Sequence, residues 1–245
     1  MRRRILLILF ILGIVFVSTG CSASPNTPVD PSNGIWDKFF VYPLSVTLDF
    51  FAEVLFNNYG LSIIVTTILI RFLVLPLMIT QIRSQKAMQA LQPEVLALRE
   101  KYKNDPKKAQ EEMMKLYQKH NVNPLAGCLP LFIQMPILIA FYHAIMRSEH
   151  IAAQDFLWLH LGNPDPYYIF PILAAITTFL QMKMMNVNSV GNPQAAQQQK
   201  IMATVMPAMI LFIGISLPSA LGLYWVIGNI FTIVQTQMIK GTKEK

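Results

Sequence analysis

Apolar runs separated by short polar segments occupy most of this chain. About 20 residues of helix, rising about 1.5 Å each, cross the hydrocarbon core of a bilayer, and somewhat shorter runs still span it when flanking lysines reach the interface. We therefore predict an all-α polytopic membrane protein. Its five transmembrane helices are expected at 59–82, 127–148, 166–185, 200–217 and 219–240.

The polar segment 83–126 has a helical periodicity of its own. Apolar positions recur at intervals of three and four residues on either side of Lys103-Asn-Asp-Pro-Lys107, which is a turn signal. This pattern predicts a helical hairpin. Its apolar stripes either close the hairpin on itself or form a docking surface for a partner, and the sequence is compatible with both. The stripe positions are Met88, Leu91, Val95, Leu98 and Tyr102 in the first arm and Ala109, Met113, Leu116 and His120 in the second.

Residues 21–58 precede the first predicted span. Their first part, 22–34, is rich in Ser, Pro and Asn, a composition typical of a flexible tether. Over 35–57, by contrast, apolar residues recur near helical spacing, and charged residues such as Asp37 and Asp49 fall mainly between them. We expect an amphipathic helix that lies on the outer membrane surface.

The amino terminus has the layout of a secretory signal. Met1-Arg-Arg-Arg4 is a basic region, residues 5–17 are an apolar core, and Ser18-Thr19-Gly20-Cys21 is a small-residue cleavage site. We predict that residues 1–20 are a lipoprotein signal peptide and that Cys21 becomes the lipid-anchored first residue. The alternative is an uncleaved extra helix, for which an apolar core of 13 residues is short.

The composition is typical of a membrane protein, and the distribution of charge predicts which loops face the cytoplasm. Of the residues, 53% are hydrophobic and only 13% are charged, which is unlike an ordinary soluble domain. Nine Lys and Arg lie in 83–126 and none in 149–165, so the positive-inside rule places the first segment in the cytoplasm and the second outside. The loop 186–199 and the tail 241–245 are then cytoplasmic, and the mature amino terminus is outside. The net charge of +7 therefore marks topology, and we predict no direct DNA binding.

The sequence predicts no metal site, no cofactor and no catalytic centre. Its two cysteines, Cys21 and Cys128, fall near opposite membrane faces, and its four histidines form no ligand-spaced pair. The predicted spans contain no aspartate, and no His-Glu-x-x-His motif occurs, so an intramembrane protease is disfavoured. We expect a protein that is not an enzyme.

Arg71 is the most informative residue, because it lies in the middle of the apolar run 61–78. A guanidinium at this depth costs about 3 kcal/mol on insertion scales, and such residues normally find a carboxylate or water. No Asp or Glu falls inside a predicted span, so the charge must meet water or a group that the protein does not supply. If the polar faces of the other spans converge here, they form a hydrated groove. The candidate lining and substrate-binding residues are Arg71, Thr67, Gln134, Gln181, Trp225 and Asn229.

Motifs that follow one another along 35–240 resemble those of the YidC/Oxa/Alb family of membrane protein insertases. They are Tyr59-Gly-Leu-Ser-Ile-Ile64, Ile70-Arg71-Phe72, Gln89-Ala-Leu-Gln-Pro93, Asn123-Pro-Leu-Ala-Gly-Cys128-Leu-Pro130 with Gln134-Met-Pro136 and Tyr142, and Leu223-Tyr224-Trp225 with Asn229. The lipoprotein signal and the short outer segment resemble the five-span form from Gram-positive bacteria. This resemblance implies a location in the bacterial cell membrane.

The resemblance also implies a groove that is open to the cytoplasm and to lipid, closed outside, and equipped with Arg71. Such an insertase and chaperone moves the outer polar segment of a client through the groove while the client's apolar helix enters lipid. The implied partners are nascent hydrophobic membrane proteins and the lipid bilayer, with the ribosome, the Sec translocon and the signal recognition particle system as further candidates. The alternative is a folding or assembly factor without insertion activity of its own. A transporter is disfavoured, because transporters usually pair their intramembrane charges and show internal repeats.

Overall fold

The computed structural model describes residues 27–123, 129–185 and 193–241. Within these ranges the chain is almost wholly helical, with one short β-hairpin. The predictions for the signal peptide and for Cys21, and those for residues 186–192 and 242–245, lie outside the described residues.

The described ranges contain nine α-helices and two strands. A π-helical turn, Asp37–Val41, leads directly into the first helix. The elements are α1 (Tyr42–Val54), α2 (Tyr59–Ala90), α3 (Gln92–Lys101), α4 (Pro106–Lys119), α5 (Leu129–Met146), α6 (Glu149–Ala152), β1 (Asp155–Phe156), β2 (Leu159–His160), α7 (Ile169–Met185), α8 (Pro193–Gly214) and α9 (Ser219–Gly241).

Two of the described helices, α2 and α9, are long and apolar enough to cross a membrane by length and composition. Three others contain shorter apolar stretches, which are Ile133–Met146 in α5, Ile169–Met184 in α7 and Ala203–Gly214 in α8. The number of spans therefore stays a prediction. Helix α9 packs against α2 and α7, and α7 packs against α8, so that the apolar helices form one bundle.

The segment before α2 carries large apolar side chains on both its buried and its exposed face, and a role at the outer membrane surface stays a prediction. Val41 and Leu48 are fully buried in the main core. On the other side, Phe39 and Phe50 are 63% and 58% exposed. Asp37, which the pattern assigns to a polar face, is buried. The spacing therefore identified Val41 and Leu48 as apolar positions of the buried face, whereas Phe39, which it placed with them, is exposed.

Asp37 is buried because it pairs with Arg147, just beyond the end of α5. Two guanidinium nitrogens of Arg147 donate to its carboxylate, at 2.7 Å (Nη1 to Oδ1) and 2.5 Å (Nη2 to Oδ2). Arg147 also donates to the backbone carbonyls of Thr27 and Pro28, at 2.8 Å and 2.9 Å. The planar fork of arginine matches a carboxylate and fixes the orientation of both partners. This clamp holds the π-helical turn and the end of the tether against α5.

Helix α2 is 32 residues long and continues past the apolar run. It begins after the cap residue Asn58, whose side chain accepts a hydrogen bond from the backbone N–H of Leu61 at 2.9 Å. It passes residue 82, where the first predicted span ends, and reaches Ala90 as one helix. Pro93 lies in the first turn of α3, a position where its missing N–H costs no helical bond. The apolar run and the start of the predicted hairpin are therefore one continuous helix.

Helices α3 and α4 pack against each other across the turn that joins them. Asp105 caps α4 by accepting a hydrogen bond from the backbone N–H of Lys108 at 3.0 Å. Val95 and Ala109, which belong to the two predicted apolar stripes, are both buried. On the surface of α4, Lys115 Nζ donates to Glu112 Oε1 at 2.6 Å, and this hydrogen bond lowers the pKa of the Glu112 carboxyl.

The loop between α5 and α7, residues 149–168, is a folded cap. Its two strands pair antiparallel, with Asp155 opposite His160. Ile151, Leu159 and Leu161 are at most 1% exposed, and they belong to the main hydrophobic core. The cap is therefore part of the folded bundle.

This cap contacts the first residues of α2 and α7. The ring of Phe156 lies directly on Gly60, where any Cβ atom would overlap the ring. Asp165 is 2% exposed, and its Oδ2 accepts a hydrogen bond from the backbone N–H of Phe170 at 2.8 Å. A buried carboxylate that bonds the first turn of a helix satisfies an N–H that lacks a helical partner.

The same cap also binds the start of α9. The backbone N–H of Ser219 donates to the carbonyl of Asn163 at 2.7 Å, and the Ser219 hydroxyl donates to the carbonyl of His160 at 2.8 Å. The first residues of α2, α7 and α9 are therefore fastened to one loop at one end of the bundle.

Candidate functional site

Arg71 is half-buried near the middle of α2, and its guanidinium rests on α9 at Gly228. A Cβ atom built on Gly228 would lie 3.1 Å from both Cζ and Nε of Arg71 and would overlap Nη2. Within the described part of the chain, no group forms a hydrogen bond or ion pair with Arg71. Because every N–H of a guanidinium is a donor, Arg71 can bind an acceptor supplied by another molecule.

Gln134 of α5 reaches the same side of α9. Its Nε2 donates a hydrogen bond to the hydroxyl of Tyr224 at 2.5 Å. Tyr224 is only 2% exposed, and its ring centroid lies 4.4 Å from that of Phe141. Tyr224 and Gly228 are separated by four residues of helix and therefore share a face. One face of α9 thus brings together the contacts of Arg71 and Gln134.

An aromatic pair fixes α2 beside α9 next to the arginine. The rings of Phe72 and Phe231 meet edge to face, with centroids 5.1 Å apart. This arrangement is favoured by the aromatic quadrupole. Phe72 is nevertheless 57% exposed, and its neighbour Leu73 is 71% exposed. The arginine is therefore flanked by an open apolar surface.

Asn229 points to α7 instead. Its Nδ2 lies 2.7 Å from Thr178 Oγ1 and 3.0 Å from Thr177 Oγ1, so it donates to both hydroxyls. Asn229 and Thr178 are both 6% exposed. This predicted site residue therefore joins α9 to α7, and its contacts are separate from those of Arg71.

The three remaining predicted residues have other surroundings. Thr67 is fully buried, and its hydroxyl donates to the carbonyl of Ile63 in its own helix at 2.6 Å. Trp225 is half-buried against the main hydrophobic core. Gln181 is half-buried on α7, one turn after Thr177, and has an interaction partner. Of the six predicted residues, α9 brings Arg71 and Gln134 together, and the client-binding role of all six stays a prediction.

Sequence reasoning missed Gly228 as part of the site and gave no separate role to Tyr224. A signal for Gly228 was present, because a glycine inside an apolar helix weakens the helix and usually reflects a close packing contact. Arg147 was overlooked as well, since it directly follows an uncharged run. Its carboxylate partner, Asp37, lies 110 residues earlier in the chain.

Apolar helices packed into one bundle, with a half-buried arginine between two of them, are typical of a helical membrane protein. The chain matches, over residues 50–245, the family model described as 60Kd inner membrane protein. It therefore belongs to the YidC/Oxa/Alb family of membrane protein insertases, as its motifs predict.

Individual relatives agree with this assignment. The chain is 53% identical over 251 positions to the membrane protein insertase YidC 2 of Bacillus anthracis, covering 100% of this chain and 96% of the relative. It is 52% identical over 245 positions to the membrane protein insertase MisCA of Bacillus subtilis (strain 168), covering 98% and 93%. Among solved structures, the crystal structure of an active YidC insertase with its first transmembrane domain resolved matches with a TM-score of 0.63 and 29% identity. That match covers 82% of this chain and 46% of the solved one.

Proposed function

We propose that this protein is an insertase and chaperone of the bacterial cell membrane. It moves the outer polar segment of a client protein through a cytoplasm-open groove at Arg71 and releases the client's apolar helix into lipid. The observation that carries the proposal is that Arg71 lies in an apolar helix without a partner for its charge among the described residues. Arg71 is half-buried, its guanidinium rests on Gly228, and no other described residue forms a hydrogen bond or ion pair with it. An ionised residue inside an apolar helix is costly and marks a functional site.

The proposed topology has five spans, with the amino terminus outside and the carboxyl terminus in the cytoplasm. In this topology α2, α7 and α9 all begin on the outer side. The folded cap supports it, because residues 149–168 contact the start of each of these helices. The same contacts support a groove that is closed on the outside. We further propose that Cys21 carries a lipid anchor on the outer side.

Arg71 acts by attracting negative charge in a medium of low dielectric constant. Two unit charges 4 Å apart attract by about 1 kcal/mol in water and about 4 kcal/mol at an effective dielectric constant near 20. An acidic client segment therefore gains more from Arg71 inside the bundle than it would at the surface. The membrane potential adds about 2.3 kcal/mol per charge per 100 mV.

The apolar helix of the client leaves by the surface next to the arginine. Phe72 and Leu73 are exposed there, directly after Arg71 in α2. Apolar contact and charge attraction are therefore available at the same level of the bundle. The polar segment occupies the groove, while the apolar helix partitions into lipid.

The proposed partners are nascent hydrophobic membrane proteins and the lipid bilayer. The ribosome, the Sec translocon and the signal recognition particle system are candidate partners in delivery. The alternative function is a folding or assembly factor for clients that another machine has already inserted. The two functions differ in whether the purified protein inserts a client in the absence of a translocon.

The test is insertion of a client with an acidic outer segment into liposomes that contain only the purified protein. Arg71→Ala should lower insertion by at least about tenfold, the equivalent of about 1.4 kcal/mol, because the attraction is lost. Arg71→Lys should retain most of the activity. Arg83→Ala removes an exposed arginine of the same helix and should have no effect. Full activity of Arg71→Ala would contradict the electrostatic role, and an inactive parent protein would favour the assembly factor.

A further inference from the structure

We propose that Gly228 is a positioning residue for Arg71 and thereby sets the preference of the groove for acidic client segments. The inference rests on the proposed function and deepens it. Its basis is the contact between the two residues, in which the guanidinium occupies the space where any other amino acid would place its Cβ atom.

The contact involves the whole head group of the arginine. The three atoms nearest to the hypothetical Cβ atom of Gly228 are Nη2, Cζ and Nε of Arg71. The guanidinium therefore rests directly on the α9 backbone. A methyl group at this position would compete with the charged group itself, whereas at Gly222 its nearest neighbour would be Phe170.

Helix α9 is held on both sides of Gly228. Gln134 binds Tyr224 one turn before it, and Asn229 binds Thr178 of α7 one residue after it. These bonds fix the rotation of α9 relative to α5 and α7. When a side chain is added at Gly228, the flexible arginine gives way more easily than the helix does. The expected result is a guanidinium displaced from α9 in a bundle that is otherwise unchanged.

Gly222 provides a matched control on the same helix. A Cβ atom there would lie 3.0 Å from Cβ of Phe170 in α7, so the packing is tight but the neighbour is apolar. Gly222→Ala and Gly228→Ala thus make the same chemical change in the same helix. Only Gly228→Ala places its added methyl group against Arg71.

The first experiment compares clients with acidic and neutral outer segments in the liposome assay. Gly228→Ala should lower insertion of the acidic client by about tenfold relative to the neutral one, a coupling typical of residues in direct contact. Gly222→Ala should leave this ratio unchanged. In an Arg71→Ala background, Gly228→Ala should have no further effect on the ratio. Equal ratios for both glycine variants, or a further loss without the arginine, would overturn the inference.

The second experiment requires no insertion activity. Phenylglyoxal modifies arginine side chains, and its reaction with Arg71 can be followed by mass spectrometry of the peptides. Gly228→Ala should change the modification rate of Arg71 severalfold and leave that of Arg83 unchanged. Unchanged Arg71 reactivity would overturn the inference even if the variant inserts poorly. Failure of the proposed function would appear instead as full activity of Arg71→Ala, so the two failures are distinguishable.

Discussion

Gln134 donates its amide N–H to the Tyr224 hydroxyl at 2.5 Å and so joins two helices whose residues are 90 positions apart in the chain. This bond lies one turn of α9 before Gly228, where the guanidinium of Arg71 rests. The hydrogen bond between Gln134 and Tyr224 therefore holds the part of α9 against which Arg71 packs.

Removing the hydroxyl alone tests the contribution of this bond to stability. Tyr224→Phe keeps the ring against Phe141 and should lower the free energy of unfolding by about 0.6 kcal/mol, the average for interhelical hydrogen bonds in membrane proteins. The measurement is chemical unfolding in detergent micelles. Tyr142→Phe is the control, because the Tyr142 hydroxyl has no hydrogen bond to any described residue. An equal loss in both variants would contradict a specific role of the Gln134 bond.

Breaking the clamp between Asp37 and Arg147 should have a larger effect. Asp37→Asn leaves a buried guanidinium without its counter-charge, and removing one member of a buried pair costs about 3–5 kcal/mol. The double variant Asp37→Leu with Arg147→Met removes both charges and should recover most of the loss. Unfolding in detergent measures both effects.

The control for the clamp is the contact between the His160 ring and the Asp155 carboxylate, whose side chains are 44% and 83% exposed. Surface pairs of this kind contribute about 0–1 kcal/mol, so Asp155→Asn should change stability little. If Asp37→Asn were as mild as Asp155→Asn, the clamp would not be a significant anchor of the segment before α2.

Gly60→Ala should loosen the cap from α2. The added methyl group overlaps the ring of Phe156, and such overpacking costs about 1–3 kcal/mol. Gly214→Ala is a suitable control, because its Cβ atom would make an ordinary contact of 3.4 Å with Pro171. Adding Phe156→Ala to Gly60→Ala should relieve the overlap. A double variant that is no better than the sum of its single changes would contradict the contact.

Deletion of the helical hairpin, residues 84–120, should impair function in cells while the apolar helices remain folded. The reason is that α3 and α4 pack mainly against each other and join the bundle through the end of α2. Complementation of an insertase-deficient strain measures function, and protease resistance of the membrane-embedded part measures folding. Normal complementation would show that the hairpin is dispensable.

The apolar runs and motifs predicted the helical class and the family, and the charge census identified Arg71. They did not predict the contact of the Arg71 guanidinium with Gly228, nor the hydrogen bond between Asn229 and Thr178. The physical reason is that lipid is as apolar as a protein core, so hydrophobic periodicity does not tell which face of a membrane helix meets a neighbour. The segment before α2 shows the same limit, because large apolar side chains lie on both of its faces and its Asp37 is buried against Arg147.

The cap formed by residues 149–168 fastens α2, α7 and α9 at their first residues. A separation of α2 from α9 would therefore be smallest at the cap and grow toward the opposite end. Helix α2 extends beyond the apolar run to Ala90. Because Arg71 lies part of the way along α2, a force on the hairpin would move α2 away from α9 least at the cap, more at Arg71 and most near Ala90.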